Sequence, residues 1–262
     1  MMILNAIVYI TLAIAGTNAH NGDQKPLSSP ISPCQHPAYQ SHILSKSPLV
    51  IYLEGFLKPE ESLHLQETTK DTFSRSATAD SAGVQGLRKT RTSQSTNVER
   101  DDVSRCIEER ALLFQGFDTP RTHLEPLQLV KYNKGEHYHF HTDWFTNTAT
   151  HASSALGGNR LSSFFVYVHA ANVTGGGTNF PMVAPPHDKR WCAFVDCDEP
   201  WERGVTFRPI VGNAVFWSNL LDDGEGDQRT LHAGLPLTSG EKLGMNIWTR
   251  QGPLSEDIRG RD

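Results

Sequence analysis

From Pro120 onward the chain breaks into short runs rich in apolar, β-branched and aromatic residues: Leu127–Tyr132, Tyr138–His141, Leu161–Val168, Val205–Arg208, Ala214–Ser218 and Leu243–Thr249. Clusters of Gly, Pro and Asp separate them, which is the punctuation of strands and turns. Upstream the pattern differs. Leu49–Leu53 reads as a strand, Pro59–Thr69 as a helix opened by a proline and two glutamates, and Asp102–Phe114 as a helix capped by Asp101 or Asp102. The stretch from Thr72 to Asn97 is polar and irregular. Helices first and many short strands afterwards predict a mainly β domain of the α+β kind, a sandwich or jelly roll with helices on one face. A chain of 262 residues accommodates one such domain with a sizeable core.

Four segments are expected: a signal peptide over 1–19, a flexible leader over 20–47, the folded domain over 48–251 and a tail over 252–262. Met1 to Ala19 carries no charged side chain and Ile3 to Gly16 is largely apolar, too short for a spanning helix, with small residues before His20. The leader is rich in Pro, Ser, Asn and Gln. Entry into the secretory route follows, leaving residence in the endoplasmic reticulum lumen or export open, with no stable membrane association once the signal is removed. The four cysteines, Cys34, Cys106, Cys192 and Cys197, suit an oxidising compartment. Cys192 and Cys197 are close enough to close a short loop, whereas Cys106 lies in a helical pattern compatible with simple core burial. Asn172-Val173-Thr174 is a glycosylation acceptor triplet. A net charge of −5 supplies no global basic field, so no nucleic-acid partner is expected.

The chemistry concentrates in the run from Tyr132 to Asp143. Strand alternation predicts His137, His139, His141 and Asp143 along one side. A His-x-Asp pair joined by a distant His makes a two-His, one-carboxylate facial triad, which suits iron(II) and leaves positions open for a co-substrate and O₂. On its own the pair is a weak signal, since clustered histidines also occur on solvated strands. A His-x-His site built on His139 and His141 lacks a following Glu. His232 is the preferred third ligand over His151, His169 and His187 because Lys242 lies ten residues beyond it. If the two sit on paired antiparallel strands, a cation enters the pocket beside the metal. A hydrogen bond from it to a ketoacid's far carboxylate is worth about 1.5–3 kcal/mol.

Tyr132-x-x-Gly135-x-x-Tyr138-x-x-His141-x-Asp143, Gly176-Gly177-Thr178-Asn179-Phe180-Pro181, His232-Ala233-Gly234-Leu235-Pro236 and Gly240-Glu241-Lys242 stand in that order. Together with Arg91-Thr92-Ser93 upstream, they resemble the catalytic domain of prolyl 4-hydroxylase α subunits and their fungal and plant relatives. The resemblance runs from roughly Pro48 to Arg250. It implies a double-stranded β-helix core, iron held by His141, Asp143 and His232, and 2-oxoglutarate held by Lys242 with the hydroxyls of Tyr132 and Thr178. Arg91, Ser93, Arg160 and Trp248 are candidate substrate contacts, although Trp248 also reads as core and Arg160 as a strand cap. Trp144, Glu136 and an insert from Pro185 to Trp201 depart from the pattern. The insert resembles fungal members.

The implied reaction is hydroxylation of an unactivated C–H bond, with 4-hydroxylation of peptidyl proline preferred. It uses iron(II), 2-oxoglutarate and O₂, releases succinate and CO₂, and draws on L-ascorbate as reductant. Two alternatives stay open: the same chemistry on a small secondary metabolite or free amino acid, and an inactive secreted binding or subunit protein. Oligomeric state and regiochemistry are not legible in the sequence.

Overall fold

Residues 34–260 are described by the computed structural model, apart from 77, 80–84, 87–89 and 117. The expected signal segment and residues 20–33 of the leader lie outside the described residues. Among the described residues the strands run in the order β1 (Gln40–Lys46), β2 (Leu49–Glu54), β3 (Ser74–Arg75), β4 (Thr78–Ala79), β5 (Gln85–Gly86), β6 (Gln94–Asn97) and β7 (Gln128–Tyr132), then β8 (Tyr138–His141), β9 (Arg160–Gly175), β10 (Thr178–Phe180), β11 (Val205–Phe207), β12 (Ala214–Ser218), β13 (His232–Gly234) and β14 (Leu237–Arg250). The helices are α1 (Pro59–Thr69), α2 (Asp102–Gln115) and two single turns, α3 (Thr148–His151) and α4 (Glu256–Arg259). An eight-stranded sheet runs β1-β2-β12-β9-β14-β7-β6-β3 and a four-stranded sheet runs β11-β10-β13-β8. β4 and β5 form a separate pair.

Alternation along β9 sets the layers. Phe164, Val166 and Val168 pack in one core with Leu53, Leu65, Ile107, Met245 and Ile247, which brings α1 and α2 onto that face. Phe165 and Tyr167 point the other way, into a second core with Val50, Val130, Phe180, Phe207 and Trp217 between the two sheets. Covered on both faces, the central strands read as near-continuous apolar runs rather than as alternating ones. Each fully buried Phe or Leu contributes about 1.5–3 kcal/mol. The result is a jelly roll of mainly antiparallel strands with helices on one face, as the strand pattern predicts.

Local chemistry explains the helix ends. Asp101, not Asp102, caps α2: its carboxylate accepts from Ser104 N at 2.8 Å while Ser104 Oγ accepts from Asp101 N at 2.8 Å. Pro59 opens α1. Glu61 in α1 and Arg110 in α2, both buried, join the helices through two hydrogen bonds of 2.8 and 2.6 Å.

Three boundaries differ from expectation. The fold begins before Pro48, because β1 pairs with β2 and Cys34 is disulfide-bonded to Cys106. The leader's composition is loop-like, but tertiary pairing overrides it. The tail is also part of the domain: Leu254 is buried, and Arg259 Nε donates to Arg121 O at 3.1 Å. Within Thr72–Asn97, β3 and β6 extend the large sheet beyond β7. No helix among the described residues is long and apolar enough to cross a membrane.

Candidate active site

β8 and β13 are neighbours in the small sheet, with His141 opposite His232 and Tyr138 opposite Gly234. Three steps on β8 therefore match two on β13, which is a β-bulge. It overturns the simple alternation. Tyr138, rather than His139, shares a side with His141 and stacks on it at 3.6 Å between ring centroids, while His139 is turned to solvent. Asp143 follows two residues after the end of β8. Its Oδ1 lies 3.7 Å from His141 Nε2 and 3.9 Å from His232 Nε2. One ligand atom from each of the three residues falls within 4.8 Å of the others.

Both imidazoles are fixed by backbone carbonyls. His141 Nδ1 bonds His139 O at 2.8 Å and His232 Nδ1 bonds Thr230 O at 2.9 Å. A carbonyl only accepts, so each Nδ1 carries a proton and each Nε2 is the ring nitrogen turned to Asp143 Oδ1. Burial, followed by the neighbouring His232, holds His141 well below its ordinary value, so its ring is neutral. Burial pushes the Asp143 carboxyl up, but His232, His141, Arg160 and Ser163 outweigh it and keep it ionised. Two imidazoles and one carboxylate converging on one point fit iron(II), and no thiolate is among them.

The second carboxylate oxygen is occupied. Ser163 Oγ donates to Asp143 Oδ2 at 2.6 Å and Trp248 Nε1 donates to it at 2.9 Å. Nothing in the sequence pattern flags Ser163. The residue after Asp143 is clamped too: Trp144 Nε1 donates to Asp227 O at 3.2 Å, and its ring leaves no room at Gly226, where a Cβ would stand 2.1 Å away.

Lys242 does not pair with the His232 strand. It lies on β14 of the large sheet opposite Tyr132 and Ala170, so the cation enters from the sheet facing the triad. The chain crosses between sheets at Leu235–Leu237, which the spacing of ten residues could not show. Lys242 is fully buried, its Nζ donates to Gly176 O and sits 4.5 Å from the Tyr132 ring centroid. No carboxylate among the described residues is within ion-pair distance of it. Burial alone pulls its value down to about 7. An ammonium held without an anion is costly, and the arrangement fits the far carboxylate of a dicarboxylic ketoacid.

Tyr132 and Thr178 line the cleft with Tyr138, Phe165, Asn246, Trp248 and the triad. Burial pushes the Tyr132 phenol up to about 12, so it is a hydroxyl donor. Thr178 Oγ1 accepts from Tyr167 Oη at 2.9 Å. Tyr167 and Asn246 are absent from the sequence reading, since both pass as ordinary strand residues. Larger clefts of about 500 and 450 Å³ lie along 170–177 and 185–208 and contain none of the triad.

The remaining candidates divide. Arg91 and Ser93 are both buried, the guanidinium 4.6 Å from the Tyr138 ring centroid and its Nε donating to Ser93 Oγ at 3.2 Å, and neither is among the residues that line the cleft. Arg160 is already engaged: Nε and Nη2 meet Glu125 at 2.8 Å each and the guanidinium lies 3.6 Å from the Trp248 ring centroid. Glu125, also bonded by Arg250 at 2.6 Å, was not anticipated. Burial pushes its carboxyl up, but Arg160 and Arg250 outweigh burial and hold it below its ordinary range. Trp248 lines the cleft and also steadies Asp143. Asn172 is exposed, with φ of 51°. Cys192–Cys197 and Cys34–Cys106 are both disulfides.

This arrangement, a jelly roll with two histidines and a carboxylate converging between its sheets, defines the class. Residues 127–250 match the family model described as the 2OG-Fe(II) oxygenase superfamily. The chain is 32% identical over 215 residues to prolyl 4-hydroxylase 1 of Arabidopsis thaliana, covering 80% of this chain and 71% of that protein. It is 28% identical to prolyl 4-hydroxylase subunit alpha-3 of Mus musculus, covering 81% of this chain and 35% of that subunit. Among solved structures, the viral collagen prolyl hydroxylase of Paramecium Bursaria Chlorella virus-1 with 2OG superposes with a TM-score of 0.54 at 22% identity, over 77% of this chain and 95% of that one. A prolyl hydroxylase from Trichoplax adhaerens, in complex with a hypoxia inducible factor peptide fragment, gives 0.51 at 14% identity, over 80% and 85%. The chain belongs to the prolyl 4-hydroxylase family of 2-oxoglutarate- and iron(II)-dependent dioxygenases.

Proposed function

We propose that this enzyme 4-hydroxylates proline in extended, proline-rich peptides, consuming 2-oxoglutarate and O₂ and releasing succinate and CO₂. His141, Asp143 and His232 would hold iron(II), with the two Nε2 atoms and Oδ1 the atoms that face one another. Lys242 receives the far carboxylate of 2-oxoglutarate, with the Tyr132 and Thr178 hydroxyls beside it. The observation that carries this reading is the buried Lys242, with no carboxylate among the described residues in ion-pair reach, on the sheet facing a converged His-Asp-His set.

Bound iron(II) with its co-substrates supplies the oxidising power that converts C–H to C–OH. The chain's own residues supply placement. His139 O and Thr230 O hold the two imidazoles in the ligating tautomer, and Ser163 and Trp248 keep one Asp143 oxygen occupied. Phe165, Tyr138 and Trp248 wall the cleft with apolar surface that limits water. Ascorbate, as an external reductant, would restore iron oxidised in uncoupled turnover.

A peptide substrate is supported by the rim. Tyr138, half-buried and lining the cleft, offers an aromatic face to an extended chain, and Arg91 backs its ring at 4.6 Å. A polyproline II segment is stiff and loses little entropy on docking. The relatives named above include a prolyl hydroxylase with a bound peptide fragment. Secretory residence is supported by the charge-free Met1–Ala19 segment and by two disulfides. Mass spectrometry of a panel containing proline-rich peptides, free proline and small metabolites tests the substrate. One added oxygen on peptidyl proline is expected. Succinate formation with oxygenation confined to free proline or a metabolite would transfer the assignment to a small-molecule oxygenase.

A further inference from the structure

Ser163 has one hydroxyl proton and two polar neighbours, Asp143 Oδ2 at 2.6 Å and Asn219 Nδ2 at 2.9 Å. All three residues are buried, Ser163 and Asn219 completely. Because the Asn219 amide donates into the serine oxygen, the serine proton goes to Asp143. The opposite amide orientation would make Asn219 an acceptor, compete for that proton and strip a donor from a buried carboxylate. The Asn219 Oδ1 left over is itself buried without a partner. A lone unsatisfied amide oxygen is the lesser cost beside an under-bonded carboxylate.

Asn219 is held by backbone on both sides. Its N–H donates to Leu161 O at 2.9 Å and its carbonyl accepts from Asp227 N at 2.8 Å. Asp227 O in turn accepts from Trp144 Nε1 at 3.2 Å and Thr230 Oγ1 at 2.7 Å, and Thr230 O anchors His232. Ser163 lies opposite both Trp217 and Trp248 in the sheet, so the two donors to Asp143 Oδ2 are cross-strand neighbours in fixed register.

We propose that Asn219 is a positioning residue that, through Ser163, fixes which oxygen of Asp143 faces the metal and so keeps that carboxylate a one-oxygen ligand. This rests on the reading of His141, Asp143 and His232 as the metal site. With Oδ2 saturated by Ser163 and Trp248, only Oδ1 is turned to the two imidazole Nε2 atoms, and the remaining positions stay open for the bidentate ketoacid.

The test is a cobalt(II) titration of the full chain, stripped of metal, followed by the visible absorption of bound cobalt, with thermal midpoint recorded for every variant. Wild type should bind one cobalt and His141→Ala should lose it; if wild type binds none, the metal-site reading fails and this inference with it. Ser163→Ala should weaken binding by about 10- to 100-fold, the usual effect of removing a partner of a ligand. Asn219→Ala should weaken it less, on the order of 5-fold, and change the cobalt absorption in the same direction. The double variant should match Ser163→Ala alone, because Asn219 acts only through the serine. Wild-type affinity in Asn219→Ala despite a lowered midpoint would reduce the residue to packing and overturn the proposal. An Asn219→Ala loss of equal size with and without Ser163 would overturn it as well.

Discussion

A side chain that the fold makes expensive to bury points to what it is kept for. Lys242 is the clearest such residue, and its protonation predicts a pH dependence. Burial holds it at about 7 in the free protein, against 10.5 in water. A bound carboxylate favours the ammonium, so binding 2-oxoglutarate above about pH 7 requires proton uptake. The Michaelis constant for 2-oxoglutarate should be flat below about pH 7 and climb above it, approaching about tenfold per pH unit. The same depressed value destabilises the free fold by an amount that is full below about 7 and relieved as pH rises towards 10.5. Lys242→Ala should raise the Michaelis constant by an amount equivalent to about 2–5 kcal/mol and flatten the pH profile. A wild-type profile without that rise would place the co-substrate carboxylate on another cation. His139→Ala should be mild, since that ring faces solvent, whereas His141→Ala should abolish metal binding and turnover. Metal titration of the pair checks the β8 register directly.

Among the elements, the segment 144–159 after the metal ligand is held by a buried ionic knot. Arg250 donates to Glu125 Oε1 and to the carbonyls of His151 and Gly158, while Arg160 donates to both Glu125 oxygens. Removing Glu125 leaves both guanidiniums without their carboxylate, so Glu125→Ala should cost about 3–5 kcal/mol in urea unfolding. A loss below about 1 kcal/mol would show that the knot is not holding the segment. Neither this knot nor the β8 bulge was legible in the sequence. Arg160 and Arg250 look like strand-end charges until Glu125, far away in sequence, closes on both. A bulge costs one residue of register and leaves no compositional trace, which is why alternation favoured His139 over Tyr138 as the companion of His141. By contrast the convergence of His141, Asp143 and His232 was legible, because ligand chemistry restricts residue type and spacing more tightly than packing does. Ser163 and Asn219 were hidden for the opposite reason: serine and asparagine beside a strand occur everywhere.

At the scale of the molecule, two sheets and a helical layer were readable from element order, whereas the ends were not. β1 and α4 are marginal by composition and exist because partners await them. The Cys34–Cys106 disulfide spans 72 residues and ties the N-terminal arm to α2. Replacing both with Ser should lower stability by about 2–4 kcal/mol. The Cys192–Cys197 bridge closes only a short loop, and its removal should cost less, as compared by thermal unfolding of the two double variants. One assay tests the metal centre and the co-substrate site together: succinate formed from 2-oxoglutarate by the intact chain in the presence of iron(II), O₂ and a proline-rich peptide, beside Asp143→Ala and Lys242→Ala. Wild type should form succinate only when iron and 2-oxoglutarate are both present, Asp143→Ala should form none, and Lys242→Ala should recover only at high 2-oxoglutarate. Succinate release that persists undiminished in Asp143→Ala would contradict the assignment of the metal centre.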